Sequence, residues 1–343
     1  MGRAHPYHVG ASAPVLLPGP GPEPSGGRVL TSEQQGGQCL VTGASGYIGR
    51  ALCARLAAEG RHFVATSRRA ATLADGQPVV AMDPLTPDPD LLAGISSVVH
   101  LAGVAHQHAA PEVYSQVNVD ATLALARAAQ AAGVRRFIYF SSVKAMGPSP
   151  GPEPRTEGML TLPVDAYGRS KREAELALAQ LCANGSMELV VLRPCLVFGE
   201  APKGNLRLLA RLSRFRALRP PGGGRRSMVS LPDLVTLTVQ LLDSTRAGTH
   251  TWIVADGQPC SAREMYDALR FARGLRPGFQ CLPLPLWRLA CRCIDRLRGE
   301  VAGSTAGKLF GAETYRAEAV QRDTGWQARL GFADLAEQMV AGQ

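Results

Sequence analysis

No window of the 343-residue chain approaches the roughly 18 consecutive apolar residues that a membrane-crossing helix needs, so a spanning protein is excluded. Zinc-type cysteine pairs are missing too. The eight cysteines stand at 39, 53, 182, 195, 260, 281, 291 and 293, none of them as Cys-x-x-Cys. Cys291-x-Cys293 has no second pair nearby to complete a tetrahedral site. Scattered cysteines in a chain of this length point to a reduced, cytoplasmic setting. No internal repeat is visible. Carboxylates are in deficit, 28 against 37 Lys and Arg, which leaves a net charge of +9. Such an excess suits nucleic acid, an anionic membrane or a phosphorylated small molecule, and composition does not choose among them. With 45% apolar and 19% charged residues, the chain is not of disordered type. Only residues 1–36, rich in Gly and Pro (PVLLPGPGPEPSGG), lack apolar periodicity and read as a flexible extension. Val15-Leu16-Leu17 is far short of a signal-peptide core.

From Gln38 the character changes. Short apolar runs (Cys39–Val41, His62–Thr66, Pro78–Met82, Ser97–Leu101, Arg136–Ser141, Glu188–Arg193) alternate with helical patterns at Tyr47–Glu59, Pro111–Ala132 and Val164–Cys182. Nearly all-apolar strands separated by helices predict a parallel sheet covered on both faces. That is an α/β, doubly wound parallel (Rossmann) architecture. After about residue 195 the pieces shorten and become rich in Pro and Arg. The expected division is a dinucleotide-binding domain over 37–200 and a smaller C-terminal substrate-binding lobe over 201–343, with 228–256 returning to the Rossmann core.

Gly43-x-x-Gly46-x-x-Gly49 lies between the first strand and the first helix. Gly43 permits the tight turn, Gly46 lets backbone approach a pyrophosphate, and Gly49 lets helix and strand pack closely. The helix N-terminus adds unpaired N–H groups and positive partial charge. An NAD(P) cofactor is therefore expected. The second strand ends at Ser67-Arg68-Arg69, where no carboxylate is present to accept bonds from a ribose 2′-hydroxyl. These donors suit a 2′-phosphate, which leans the choice towards NADP(H) and leaves NAD open. A solvated basic turn is the alternative. Asp83, after the third strand, is expected at the adenine edge or in a turn.

Tyr167-Gly-Arg-Ser-Lys171 puts Tyr and Lys on one face of a helical segment. A phenol of pKa about 10 is a poor base at neutral pH, and a neighbouring ammonium is expected to depress it. Ser142 ends the fifth strand, at the carboxyl edge where open α/β sheets bind ligands. Its hydroxyl is placed to hold a substrate oxygen beside Tyr167.

Together these motifs resemble the extended short-chain dehydrogenase/reductase family, in its nucleotide-sugar epimerase/dehydratase branch. Thr42–Gly49 is similar to the cofactor loop, and His100-Leu101-Ala102-Gly103 to the fourth-strand motif beneath the cofactor. Val117-Asn118-Val119, Ser141–Gly147, Tyr167/Lys171 and Arg193–Gly199 resemble the asparagine, serine, Tyr–Lys and sixth-strand motifs. The resemblance implies catalytic roles for Ser142, Tyr167, Lys171 and Asn118. It implies cofactor contacts from Gly43, Ser45, Gly46, Tyr47, Ile48, Gly49, Leu101, Ala102, Gly103 and Pro194, besides Tyr167 and Lys171; Ser67, Arg68 and Asp83 join them on the reading of the residues given above. Substrate contacts fall to Ser142, Lys144, Asn205 and Arg226. The chain departs from the pattern at Met146, Ala121 and the missing acid after the second strand. The implied activity is hydride transfer at C4 of a UDP-type sugar for surface polysaccharide, by a cytoplasmic homodimer acting as 4-epimerase or 4-ketosugar reductase. A steroid- or lipid-type hydroxyl dehydrogenase and a cofactor-sensing, DNA-binding regulator are the alternatives.

Residues 201–226 hold Lys203, Arg207, Arg211, Arg214, Arg216, Arg219, Arg225 and Arg226 with no acid. A sugar-nucleotide pyrophosphate needs such donors, although charge runs also make plain solvated faces. This favours a phosphorylated metabolite over nucleic acid. A second basic stretch, Leu286–Arg298, reads as an amphipathic helix. It either packs its Trp and Leu inward or makes weak contact with an anionic membrane surface. His100, His106 and His108 lack the spacing and partners of a metal site, and Ser141-x-x-Lys144 lacks the companion motifs of a penicillin-recognising acylase.

Overall fold

The computed structural model describes residues 37–105, 109–151, 153–202, 204–299 and 304–341. The N-terminal extension, His106, His108 and Lys203 lie outside the described residues. The strands are β1 (Gln38–Thr42), β2 (Phe63–Ser67), β3 (Ala71–Thr72), β4 (Pro78–Ala81), β5 (Ile95–His100), β6 (Arg136–Phe140), β7 (Glu188–Pro194), β8 (Leu196–Phe198), β9 (Arg225–Arg226), β10 (Met228–Ser230), β11 (Thr249–Val254) and β12 (Cys260–Ser261). The helices are α1 (Tyr47–Ala58), α2 (Pro111–Ser115), α3 (Ala121–Ala131), α4 (Ala166–Ala183), α5 (Gly204–Leu212), α6 (Leu231–Asp243), α7 (Ala262–Ala272), α8 (Leu284–Arg298), α9 (Ser304–Phe310), α10 (Glu318–Thr324) and α11 (Ala336–Ala341).

Eight strands form one sheet in the order β11-β7-β6-β5-β1-β2-β4-β3. All its pairings are parallel except β3 with β4. This is the doubly wound arrangement expected from the strand pattern, with β3 as a short antiparallel edge. The strand order reverses at β1, between β2 and β5, and that reversal opens the crevice in which such sheets bind ligands. The central strands are apolar because both their faces are covered. One cluster (Val41, Leu52, Leu56, Ile138, Leu234) packs α1 and α6 on one face. Another (Leu40, Leu125, Phe137, Leu178, Leu189) packs α3 and α4 on the other. Arg136 is buried within β6, with its guanidinium on Glu188 and the Leu241 and Arg246 carbonyls. Leu231–Val254 brings the chain back to the sheet, where β11 pairs with β7. A third cluster (Phe198, Leu209, Met228, Tyr266, Leu269, Phe332) joins α5, α7 and α11.

The single helix expected over Pro111–Ala132 is interrupted. Gln116–Asp120 forms one π-helical turn between α2 and α3. Such turns insert a residue into the helical register and recur at functional sites. This one contains Asn118.

Candidate active site

The glycine loop builds the floor of the crevice. Gly43 has φ +68°, and a Cβ there would lie 2.8 Å from the Ala102 nitrogen. A Cβ on Gly49 would collide with the Gly43 carbonyl oxygen. Glycine is required at both positions, because the turn at Gly43 passes directly over the chain leaving β5 and α1 packs at Gly49 directly against the backbone of Gly43 and Ala44. Gly46 caps α1 with no side-chain hydrogen bond, so the first N–H groups of the helix remain available. Ser45 and Ile48 complete the loop. The Tyr47 hydroxyl donates to the Glu200 carbonyl at 3.1 Å and ties the loop to the chain beyond β8. This cradle, open to backbone approach and ended by a helix N-terminus, fits a dinucleotide pyrophosphate.

At the end of β2, Arg68 and Arg69 are exposed and have no ionic partner among the described residues. The Ser67 hydroxyl donates to the Arg69 carbonyl at 2.5 Å and shapes the turn. Asp83 is exposed and accepts from the Leu85 N–H at 3.0 Å, as a turn residue does. Leu101, Ala102 and Gly103 follow β5 on the near side of the crevice. Pro194 ends β7 and is buried.

The π turn aims Asn118 inward. Its Oδ1 accepts from the Val104 N–H at 2.8 Å, and its Nδ2 donates to the Val104 carbonyl at 3.0 Å and to Ser170 Oγ at 2.9 Å. Asn118 therefore fixes the loop after β5 to α4. Asp165 caps the N-terminus of helix α4, its carboxylate accepting from the Gly168 N–H at 2.7 Å. On its inner face Lys171 is buried, with Nζ donating to the Phe140 carbonyl at 2.8 Å and lying 4.7 Å from the centre of the Tyr139 ring. Burial depresses the Lys171 ammonium to about 8, against the pull of Glu175.

Tyr167 and Ser142 meet in a side-chain hydrogen bond. Burial pushes the Tyr167 phenol up to about 12, and the bond to Ser142 acts in the opposite direction. The expected depression by Lys171 is not seen. The ammonium serves the Phe140 carbonyl instead, and the carboxylate of Asp165 and the phenol of Tyr114 raise Tyr167 further.

Two acidic residues that sequence reasoning missed organise the surroundings. Glu175, one turn beyond Lys171, is buried and accepts from Ser141 Oγ at 2.5 Å and from Arg193 at 2.9 and 2.7 Å. Its four-residue spacing from Lys171 was a usable signal. Glu313 comes from beyond α9 and had no local signal. It binds Lys144 Nζ at 2.6 Å and an Arg226 guanidinium nitrogen at 2.7 Å. The two cations expected to be free for substrate thus share one carboxylate. Asn205 is half-buried in the first turn of α5.

The arginine run is also less free than its sequence implied. Arg219 pairs with Asp267 at 2.6 Å and Arg225 with Glu264 at 3.2 Å, both acids of α7. Arg207 and Arg211 face solvent. His100 is a core residue held by the Thr42 and Thr122 hydroxyls at 2.7 and 2.9 Å, and burial depresses its imidazolium to about 3. No helix among the described residues is long and apolar enough to cross a membrane.

A UDP-glucose 4-epimerase of Vibrio cholerae is 34% identical over 261 residues, covering 72% of this chain and 79% of the relative. An N-acetyl-alpha-D-glucosaminyl-diphospho-ditrans,octacis-undecaprenol 4-epimerase of Escherichia coli O157:H7 is 25% identical, covering 81% of this chain and 83% of that protein. Among solved structures, MoeE5 in complex with UDP-glucose and NAD superposes with a TM-score of 0.69 at 26% identity, covering 89% of this chain and 98% of MoeE5. Residues 39–255 match the NAD dependent epimerase/dehydratase family, and the chain belongs to it.

Proposed function

We propose that this protein carries out NAD(P)-dependent oxidation and reduction at C4 of a UDP-sugar, as a 4-epimerase or a 4-ketosugar reductase supplying surface polysaccharide. The observation that carries this is the hydrogen bond joining Ser142 to Tyr167 at the carboxyl edge of the sheet, beside the glycine cradle. The names of the relatives support the substrate class and the position on the sugar.

When bound, the nicotinamide supplies the acceptor and donor of hydride. Tyr167 takes and returns the proton of the C4 hydroxyl, and Ser142 holds that oxygen. Lys171, buried beneath them, donates to the nicotinamide ribose. Asn118 holds the Gly103–Val104 loop so that the wall next to Lys171 stays in place. Gly43, Ser45, Gly46, Tyr47, Ile48 and Gly49 take the dinucleotide pyrophosphate, and Leu101, Ala102, Gly103 and Pro194 line its nicotinamide half. Ser67, Arg68 and Asp83 take the adenosine half. Arg68 and Arg69, which have no ionic partner among the described residues, favour NADP(H). Lys144, Asn205 and Arg226 take the sugar nucleotide. A homodimer built on α3 and α4, working in the cytoplasm, completes the proposal. Exposed Leu176 on α4 supports that interface.

The test is to identify the dinucleotide retained on purification by mass, then to offer UDP-sugars and 4-keto UDP-sugars with NADH or NADPH. Retained dinucleotide with interconversion of C4 epimers supports the epimerase. Stoichiometric NAD(P)H consumption by a keto-sugar supports the reductase. Tyr167→Phe should abolish either activity and keep dinucleotide binding; undiminished turnover would refute the assignment.

A further inference from the structure

Helix α8 offers a surface that chemistry at C4 does not use. Its sequence, LPLWRLACRCIDRLR, puts Trp, Leu and Arg on one amphipathic segment, and the structure separates the three. Trp287 and Cys291 are buried, with the Trp287 ring edge-on to Phe310 of α9 at 6.4 Å. The one carboxylate of the helix, Asp295, is also turned inward, where it accepts from the Thr305 N–H at 2.9 Å. The leucines face water instead: Leu286, Leu289 and Leu297 are 47%, 54% and 87% exposed. Ala290 and Cys293 are exposed between them. These positions recur at intervals of three and four residues, the spacing of one side of a helix. Arg288, Arg292 and Arg296 are exposed along the border of that strip at intervals of four, and no acid among the described residues pairs with them.

We propose that α8 docks this protein onto an anionic phospholipid surface. The leucines enter the boundary of headgroup and acyl chain, and the arginine stems lie along it with their guanidinium groups on lipid phosphates. Charge complementarity selects this occupant. An apolar strip bordered by cations that no described acid pairs with, and with the one acid of the helix buried, matches a surface that is apolar beneath and negative above. A second copy of the chain would bring the same arginines against themselves, and each copy carries a net charge of +9. At 15 residues the helix lies on such a surface and does not cross it. The docked face is one helix removed from the proposed substrate cations, because α9 supplies the Gly307 carbonyl that accepts from Arg226 at 2.7 Å.

The test uses the full chain in flotation with phosphatidylglycerol–phosphatidylcholine vesicles and with pure phosphatidylcholine vesicles, at low and high salt. Binding to the anionic vesicles alone, weakened by salt, is expected. Each of Arg288→Ala, Arg292→Ala and Arg296→Ala should weaken binding about fivefold, and the three together more than a hundredfold. Leu289→Asp with Leu297→Asp should abolish binding while the thermal melt and turnover of soluble substrate stay unchanged. Because vesicle binding is read without turnover, it stands or falls separately from the activity proposed above. Equal binding to both vesicle types, or none to anionic vesicles at low salt, would overturn the proposal. So would sedimentation showing that the leucine variant splits a dimer, since a second copy would then cover the strip.

Discussion

Replacing Lys171 with Met should leave the fold at least as stable at neutral pH while removing a group the proposed chemistry needs. The ammonium is buried, and its pKa falls from 10.5 to about 8. The native state therefore resists protonation of this amine more than the unfolded chain does. Below pH 8 both states carry the proton and the full penalty applies, about 3 kcal/mol at 1.36 kcal/mol per unit. Between about 8 and 10.5 the unfolded chain binds more protons, so stability rises with pH. Above 10.5 the amine is neutral in both states and the penalty is gone. Substitution also leaves the Phe140 carbonyl without its donor, which costs about 1–3 kcal/mol at any pH. Lys171→Met should thus be neutral to about 2 kcal/mol more stable at pH 7, and that difference should shrink by about 2–3 kcal/mol on going to pH 10. Urea unfolding of both proteins at pH 7, 8, 9 and 10 checks this. Tyr167 titrates in both chains, and its contribution cancels in the difference. A difference that stays constant with pH would refute the burial argument.

Glu175→Gln should cost about 3–5 kcal/mol in urea unfolding because it strands Arg193 in the core, whereas Glu175→Leu combined with Arg193→Met should cost less than Arg193→Met with Glu175 intact; equal or additive losses would show that the pair is not coupled. Asp256 is buried, its Oδ2 has no partner among the described residues, and burial raises its carboxyl from 3.8 to about 6. Its penalty is complete above pH 6 and absent below about pH 4, so Asp256→Asn should add about 3 kcal/mol at pH 7 and nothing at pH 4, as read by thermal unfolding at both values. Glu313→Gln removes the charge that occupies both Lys144 and Arg226 and should tighten UDP binding about tenfold in low-salt calorimetry; unchanged or weaker binding would mean that these cations do not meet the nucleotide.

The sheet was legible because local patterns decide it. Six apolar runs gave six parallel strands to within about two residues, since strands buried on both faces leave no polar alternation to confuse the signal. The glycine loop was legible for the same reason, as its constraint acts within one turn. The π turn at Gln116–Asp120 was not, because QVNVD carries the spacing of an ordinary helix and the extra residue is held by contacts of Asn118 with Val104 and Ser170, distant in sequence. The short pairs β8–β10 and β9–β12 were also invisible, since segments of two or three residues carry no period. The Tyr167–Lys171 pair was found by spacing, yet its electrostatics were misjudged. Spacing brings two side chains to one face of a helix. It does not tell which acceptor the ammonium will take, and here that is the Phe140 carbonyl at the end of β6.

The arginine run shows the same limit on a larger scale. Eight basic residues without an acid between 201 and 226 read as a phosphate-binding field, because charge along a sequence is easily counted. Potential depends on neighbours in space, and the fold brings Asp267, Glu264 and Glu313 onto Arg219, Arg225 and Arg226. Each of those carboxylates lies 39 or more residues further along the chain, so no window over the run could reveal it. The excess of positive charge must therefore act where the fold leaves cations unpaired. Arg68 and Arg69 at the end of β2 and the arginine row of α8 meet that condition, the first beside the dinucleotide crevice and the second beside an apolar strip. Neither group holds the largest local charge in the sequence. What sets them apart is the setting, a crevice in one case and an apolar strip in the other, which only the folded chain reveals.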